Sequence, residues 1–177
     1  MSFLLHRWPT LLGLLVMAQS VIGMADGRDQ AVIAFVAALI YLGAALVDRP
    51  VTVWILFGAS VVALFAIKAF DLSPWPALIG GAVTLVAVAL VGDLPGRQPL
   101  EMAQIPVMVV VGAVSVAAVT LSPELGGYLA ALALIGHGTL DVILWRARKV
   151  VVRSMAEFCA ALDLTLGAAI IVFQVVS

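Results

Sequence analysis

The sequence predicts an all-α polytopic membrane protein with seven transmembrane helices, and three observations support this fold class. Of the 177 residues, 64% are hydrophobic and 11% are charged. In soluble domains, about 45–50% of the residues are hydrophobic and about 25% are charged. The mean hydropathy is +1.23. The apolar residues form seven runs close to the roughly 20 residues that a membrane-spanning helix needs. The runs lack the alternation typical of a membrane β-barrel.

The same composition excludes several other classes of protein. A soluble enzyme of this size could not bury so much hydrocarbon, and disordered chains are polar and highly charged. A nucleic-acid partner is not expected, because the net charge is −1 and there is no broad basic face. A single cysteine, Cys159, excludes a disulfide within the chain.

Charged and Pro/Gly-rich clusters separate the apolar runs, and we expect residues 1–177 to form one transmembrane bundle. The seven predicted helices, in chain order, are Pro9–Ala25, Gln30–Val47, Val51–Phe70, Pro76–Gly92, Met102–Leu121, Leu125–Trp145 and Ser154–Val176. No small-residue cleavage site stands out near the N-terminus, so we interpret the first run as a helix rather than as a signal peptide.

Proline marks the start of several of these helices, because its missing N–H group costs nothing in the first turn. Four prolines lie at or just before predicted starts: Pro9, Pro50, Pro76 and Pro123. Pro106 lies one turn inside helix 5 and should bend that helix or delay its start. Helices 2 and 7 instead follow charged segments, residues 26–29 and 146–153.

Helices 1 and 4 begin with similar sequences, WPTLLG from Trp8 and WPALIG from Trp75. An offset of three helices would give the two copies opposite orientations, as in the inverted repeats of transporters. Helices 2 and 5, and helices 3 and 6, show no comparable match. We therefore interpret Trp-Pro as a helix start suited to the membrane interface.

Basic residues are distributed unequally between the two rims of the predicted bundle. One rim carries Arg7, Arg49, Arg97, Arg146, Arg148, Lys149 and Arg153, and the other carries Arg28 and Lys68. The positive-inside rule then predicts a cytoplasmic N-terminus and an outer C-terminus, in the cytoplasmic (inner) membrane of a bacterium. The run Arg146, Arg148, Lys149 and Arg153 is mainly an orientation signal, and it also suits the headgroups of anionic membrane lipids.

Helices 6 and 7 carry ionisable residues away from the rims: His137, Asp141, Glu157 and Asp163. A charged group within a span costs at least about 2.5–3.5 kcal/mol, so such groups usually face the bundle interior. His137 and Asp141 are four residues apart and share a helix face. Counted from the common rim at a rise of 1.5 Å per residue, His137 and Asp163 lie at similar depths in the membrane. Asp141 and Glu157 also lie at similar depths.

Small and polar residues surround this predicted cluster. Cys159 and Gly167 are each four residues from Asp163, and Gly136 and Gly138 flank His137, which would let a helix or a ligand come close. Three further polar residues in the membrane interior are possible lining residues of a pocket: Gln19, Tyr41 and Ser60.

Three carboxylates and at most one imidazolium carry a charge of −2 if all are ionised, which a low-dielectric interior does not tolerate without compensating positive charge. Retained protons, a bound metal or organic cation, or an arginine of the 6–7 loop would each provide that compensation. In a purely structural interpretation, Glu157 pairs with Arg153 at the rim, four residues away. Asp141 and Asp163 would then hold helices 6 and 7 together through His137.

Transport linked to protons or another cation is the function that the sequence favours, because ionisable residues at mid-depth are typical of proton relays. His137 and Asp163 would be the central pair, with Asp141 and Glu157 connecting it to the cytoplasmic rim. Seven short helices enclose little volume, so we expect a homo-oligomer.

A metal-dependent enzyme that acts on a lipid is the first alternative, with His137, Asp141 and Asp163 as ligands of a metal that activates water. The fragment His137-Gly-Thr-Leu-Asp141 resembles the His-x3-Asp element of seven-helix ceramidase and adiponectin-receptor-like hydrolases. That resemblance implies a lipid hydrolase with a metal centre. Those families use several further histidines, whereas this chain has only His6 besides, so an enzyme is disfavoured.

The second alternative is a non-catalytic accessory or ligand-binding subunit of a larger membrane complex. Small polytopic proteins with minimal loops often need a partner protein to cover their surfaces. The sequence identifies no cofactor for any of the three functions.

Overall fold

The computed structural model describes residues 7–176, and this part of the chain is helical without a strand. Its seven main helices are α1 (Trp8–Val21), α2 (Ala31–Val47), α3 (Thr52–Ala69), α4 (Trp75–Val91), α5 (Gln104–Thr120), α6 (Pro123–Ala147) and α7 (Arg153–Val176). Short helical turns at Arg28–Gln30, Leu94–Gly96 and Pro99–Met102 lie in the connections.

Five of these helices are long and apolar enough to cross a membrane: α3, α6 and α7, together with α2 and α5 when their preceding turns are included. The chain is therefore a helical membrane protein. Helices α1 and α4 are apolar but have 14 and 17 residues, which corresponds to about 21 and about 26 Å. A bilayer core is about 30 Å thick, so these two would need local thinning of the bilayer or flanking residues to complete a span.

Helix α1 ends earlier than its predicted end at Ala25. Ile22 has extended backbone angles and Gly23 has a φ of 74°, a left-handed conformation that favours glycine and stops a helix. Helix α6, in contrast, is longer than predicted by two residues at each end. Pro123 occupies its first turn, and Arg148 ends it in the left-handed region.

The start of α5 confirms the predicted effect of Pro106. The turn Pro99–Met102 stops at Ala103, and α5 begins only at Gln104. This places Pro106 in the first turn of α5, where its missing N–H group breaks no intrahelical hydrogen bond. The other helix starts that carry proline in the first turn are those of α1, α4 and α6.

Helix α2 lies at the centre of the bundle and contacts α3, α4, α5 and α6. Twelve of its 17 residues are buried, whereas in α3 only Val53 is buried. Within the described part of the chain, the antiparallel pair α6 and α7 has the most extensive packing of any two helices, and α1 packs against α7. The centre of the molecule is therefore the junction of α2, α6 and α7, with α3 at the periphery.

A close approach between α1 and α7 depends on Gly13. A Cβ atom at this position would lie 2.5 Å from the carbonyl oxygen of Phe158 and 3.1 Å from Cβ of Ala161. Any larger residue would push the two helices apart. Glycine thus fixes the spacing of α1 against the helix that carries Asp163.

At the rim that carries most of the basic residues, Arg97 connects the end of α2 to the loop that follows α4. Its guanidinium donates to the Asp93 carboxylate at 2.9 Å and to the carbonyl oxygen of Ala45 at 2.8 Å. The hydrogen bond with Asp93 raises the pKa of Arg97, so this side chain stays positive. A basic group is favourable there, because the carbonyl groups at a helix C-terminus carry partial negative charge.

Candidate functional site

A cluster of four polar side chains lies buried at the junction of α2, α6 and α7. His137 and Asp141 come from α6, Asp163 from α7 and Tyr41 from α2. The His137 Nδ1 atom is hydrogen-bonded to Asp163 Oδ2 at 3.0 Å and lies 3.2 Å from Asp141 Oδ2. We call these four residues the polar cluster.

Helix geometry explains why these side chains meet. His137 and Asp141 lie one turn apart on the face of α6 that contacts α7 and α2. Asp163 is ten residues from the start of α7, and His137 is ten residues from the end of α6, so each lies about 15 Å from the same rim. Gly138 removes a side chain at the contact, where a Cβ atom would lie 3.2 Å from Cβ of Asp163.

Tyr41 completes the polar cluster from the third helix. Its hydroxyl donates a hydrogen bond to Asp141 Oδ1, and its ring centroid lies 4.9 Å from that of His137. The sequence indicated Tyr41 only as a possible lining residue, because nothing in it shows which face of α2 meets α6. A tyrosine in an otherwise apolar run was the only available signal, since a buried hydroxyl needs a partner.

The polar cluster keeps unused hydrogen-bonding capacity. Within residues 7–176, three of its buried atoms have no hydrogen-bond partner: His137 Nε2, Asp141 Oδ2 and Asp163 Oδ1. Nδ1 of an imidazole carries at most one hydrogen, so it cannot fully satisfy both neighbouring carboxylates. Buried polar groups are normally paired. These atoms are therefore positioned to bind a proton, a metal ion or a polar group of a ligand.

The charge of the polar cluster is also incompletely compensated. With both carboxylates ionised and the imidazole protonated, the net charge is −1. All nine lysine and arginine residues lie within the described range, and none is buried. Arg153 is an arginine of the 6–7 loop that could have supplied a compensating positive charge. Its guanidinium instead lies over the ring of Trp145, 4.2 Å from the ring centroid. The loop arginines therefore do not neutralise the polar cluster.

The same three ionisable side chains could hold a metal ion. One ligand atom from each of His137, Asp141 and Asp163 lies within 4.8 Å of the other two. One imidazole nitrogen with two carboxylate oxygens is a donor set that suits zinc and related transition metals. The set leaves further coordination positions open, as catalytic sites do.

An apolar cavity of about 420 Å³ lies directly beside the polar cluster. Tyr41, Cys159 and Asp163 are among its lining residues, but they are buried and expose almost no polar surface to it. The remaining lining is apolar and comes from α1, α2, α3 and α7. Cys159 contributes little polarity, because its thiol lies 3.7 Å from the Met155 sulfur. Asp163 thus belongs to the polar cluster and lies next to an apolar space.

Glu157 lies outside the polar cluster, so the predicted pairing of Asp141 with Glu157 is wrong. Glu157 accepts a hydrogen bond of 2.6 Å from Thr10 Oγ1 and lies 3.3 Å from Arg7 Nη1. The alternative pairing with Arg153 is also wrong. Six residues separate Glu157 from Asp163, which turns the two carboxylates to different faces of α7 at 3.6 residues per turn.

Several predicted lining residues also lie elsewhere. Gln19 and Gly136 are exposed, and Ser60 does not line the cavity. Gly167 packs against Ile135 of α6, so its role is in helix contact. The location of Gln19 and Ser60 in the membrane interior did not predict that they share a site with His137, because depth gives no information on which face of a helix a residue occupies.

The basic run at the end of α6 forms part of the rim. Arg146, Arg148, Lys149 and Arg153 are exposed. Arg148 and Lys149 line a small polar cavity of about 230 Å³ together with Asp48 and Glu101. The binding of anionic lipid headgroups by this run stays a prediction.

Comparison with known proteins adds no relative: no family model, no curated protein and no solved structure matches this chain. Its function must therefore be argued from the polar cluster and its surroundings.

Proposed function

We propose that this chain is an integral membrane transporter that couples the movement of a small solute to a proton or another cation bound at His137, Asp141 and Asp163. One observation carries the proposal: a His/Asp/Asp group lies in an apolar interior without a buried lysine or arginine to balance it. Such a group needs a cation, because isolated charges in an apolar interior are costly.

The arrangement suggests how a cation would be held and passed on. Asp163 and Asp141 flank the same imidazole nitrogen, so a small rearrangement of His137 would transfer a cation between the two carboxylates. Asp141 is four residues closer than His137 to the end of α6, about 6 Å nearer to the basic rim. Tyr41 fixes the Asp141 carboxylate and keeps it directed at His137. Glu157 takes no part in this route.

The orientation of the protein in the membrane, and the membrane in which it resides, are part of the same proposal. We place the rim with seven basic residues in the cytoplasm, and the chain in the inner membrane of a bacterium, on the basis of the positive-inside rule. A homo-oligomer or a membrane partner protein would cover the exposed apolar faces of α3 and α4. All seven main helices would then span the bilayer.

Proton flux into liposomes tests the transport proposal. Vesicles with the purified chain should take up protons under an imposed membrane potential faster than empty vesicles do. Asp163→Asn should reduce this rate at least tenfold, because it removes a carboxylate that holds the cation. Asp93→Asn is the matched control, since the Asp93 side chain is 77% exposed at the rim. Equal rates for wild type and Asp163→Asn would contradict the proposal.

A metal-dependent enzyme that acts on a lipid is the second candidate. Two observations favour this enzyme. Three possible metal-ligand atoms lie within 4.8 Å of one another, and an apolar cavity lies next to them. Metal analysis of the protein used for the flux measurement separates the two candidates. One metal ion per chain that is lost in His137→Ala would support the enzyme, and metal-free protein with flux dependent on Asp163 would support the transporter. Nothing in the described residues favours an accessory subunit.

A further inference from the structure

The cavity beside the polar cluster is open to the lipid-facing surface of the bundle. Phe65 of α3 lines it and is 68% exposed. Leu12 and Val16 line it from α1, and Val61 and Leu64 from α3. A molecule dissolved in the bilayer could therefore reach the cavity by passing between α1 and α3, without passing through water.

Aromatic side chains close the end of the cavity nearest the basic rim. The ring centroids of Trp8 and Trp54 lie 5.4 Å apart and connect α1 to α3. Trp54 also packs against Phe57 and Phe158 at 5.8 and 6.0 Å, and its indole N–H donates to Ser154 at 3.2 Å. Phe57 and Phe158 line the cavity, and Trp54 packs against both on the side of the basic rim, which favours a ligand that enters from the membrane.

A buried carboxylate lies behind the deep wall of the cavity, whose surface is almost entirely apolar. Asp163 is among the residues at this wall, its side chain is buried, and its Oδ1 atom has no hydrogen-bond partner in the described part of the chain. The three ionisable residues of the polar cluster total −1 when all are charged. An occupant with a single positive charge would therefore be complementary to the polar cluster, and an apolar body would be complementary to the lining.

We propose that this cavity binds a lipophilic organic cation, such as a hydrophobic amine in its ammonium form or a quaternary cation, with its positive charge directed at Asp163. This inference rests on the proposed transport function and assigns the class of its solute. The volume of about 420 Å³ lies in the range of small-molecule sites, about 300–1,000 Å³.

Neighbouring positions on α3 provide a matched pair of variants. Val61 lines the cavity, whereas Val62 is 69% exposed and is not part of the lining. Val61 lies about 14 Å along α3, and Asp163 about 15 Å along α7 from the same rim. Tryptophan at 61 should thus fill the space in front of Asp163, and tryptophan at 62 should project into lipid.

Binding of tritiated tetraphenylphosphonium to the purified full chain in detergent tests the proposal. Wild type should bind this cation saturably, with an affinity at least tenfold higher than that of Val61→Trp or Asp163→Asn. Val62→Trp should bind within twofold of wild type. Neutral tetraphenylsilane should not displace the cation from wild type, an arm of the experiment that does not depend on the folding of any variant.

Three results would overturn the proposal: no saturable binding, equal effects of Val61→Trp and Val62→Trp, or efficient displacement by tetraphenylsilane. The last result would show a cavity that accepts apolar molecules regardless of charge, as a lipid substrate would require. If proton flux still depends on Asp163, only this inference fails. If flux does not depend on Asp163, the transport proposal itself fails, and tetraphenylphosphonium binding then identifies a ligand site without coupling.

Discussion

At the scale of single residues, Tyr41 and Asp141 show how the bundle tolerates a carboxylate in its interior. Asp141 Oδ1 accepts the hydrogen bond of the Tyr41 hydroxyl, while Oδ2 lies 3.2 Å from His137. Each carboxylate of the polar cluster therefore has one oxygen in a hydrogen bond and one without. The hydroxyl of Tyr41 is the one neutral donor in this arrangement, so its contribution can be measured without a change of charge.

Tyr41→Phe should lower the free energy of unfolding by about 1–3 kcal/mol, the cost of leaving a buried acceptor without its partner. Tyr128→Phe is the matched control, because Tyr128 is 38% exposed and should change stability by less than about 0.5 kcal/mol. Thermal unfolding in detergent measures both. Equal stability of the two variants would mean that the hydroxyl of Tyr41 does not support Asp141.

The contact of His137 with Asp163 was predictable from the sequence, whereas the contacts of Glu157 and Tyr41 were not. Depth follows from counting residues along a helix, and it placed His137 and Asp163 at the same level. The direction of a side chain depends on how the helix is rotated in the bundle. Uniformly apolar helices carry no amphipathic stripe that would reveal this rotation, and Glu157 consequently lies against α1 rather than against α6.

At the scale of helices, most helix boundaries could be predicted from local residues such as proline. The packing of each helix against its neighbours could not be predicted from the sequence. Proline at or just before the predicted starts gave the starts of α1 and α4 to within one residue and that of α6 to within two residues. The end of α1 was not predicted correctly because it depends on Gly23, which has a φ of 74°. Glycine can adopt this left-handed conformation but does not have to, so the sequence alone does not show that the helix stops there. The importance of Gly13 was equally hidden, since it arises from the position of α7.

Gly13→Leu should destabilise the fold by roughly 1–3 kcal/mol through overpacking, because a Cβ atom there would lie 2.5 Å from the Phe158 carbonyl oxygen. The melting temperature in detergent should fall accordingly. Gly58→Leu serves as the control, since nothing lies within 4 Å of a Cβ atom at that position of α3. If both variants melt at the same temperature, α1 and α7 do not pack as closely as described.

At the scale of the whole molecule, the arrangement of helices explains where a function can reside. The connections are short, and the ionisable groups of the interior are gathered where α2, α6 and α7 meet. The class of helical membrane protein followed directly from composition and hydropathy. The central place of α2 and the peripheral place of α3 did not, because both helices have similar apolar sequences. A cavity between α1 and α3 is a consequence of that arrangement and could not have been predicted.

The account depends on His137 and Asp163 acting as one energetically coupled unit inside the bundle. A double-mutant cycle on global unfolding in mixed micelles tests this most directly, with wild type, His137→Gln, Asp163→Asn and the double variant. We expect a coupling free energy of roughly 0.5–3 kcal/mol, as for residues in direct contact. Additivity within about 0.3–0.5 kcal/mol would show that the two side chains are independent, and it would contradict the proposed centre.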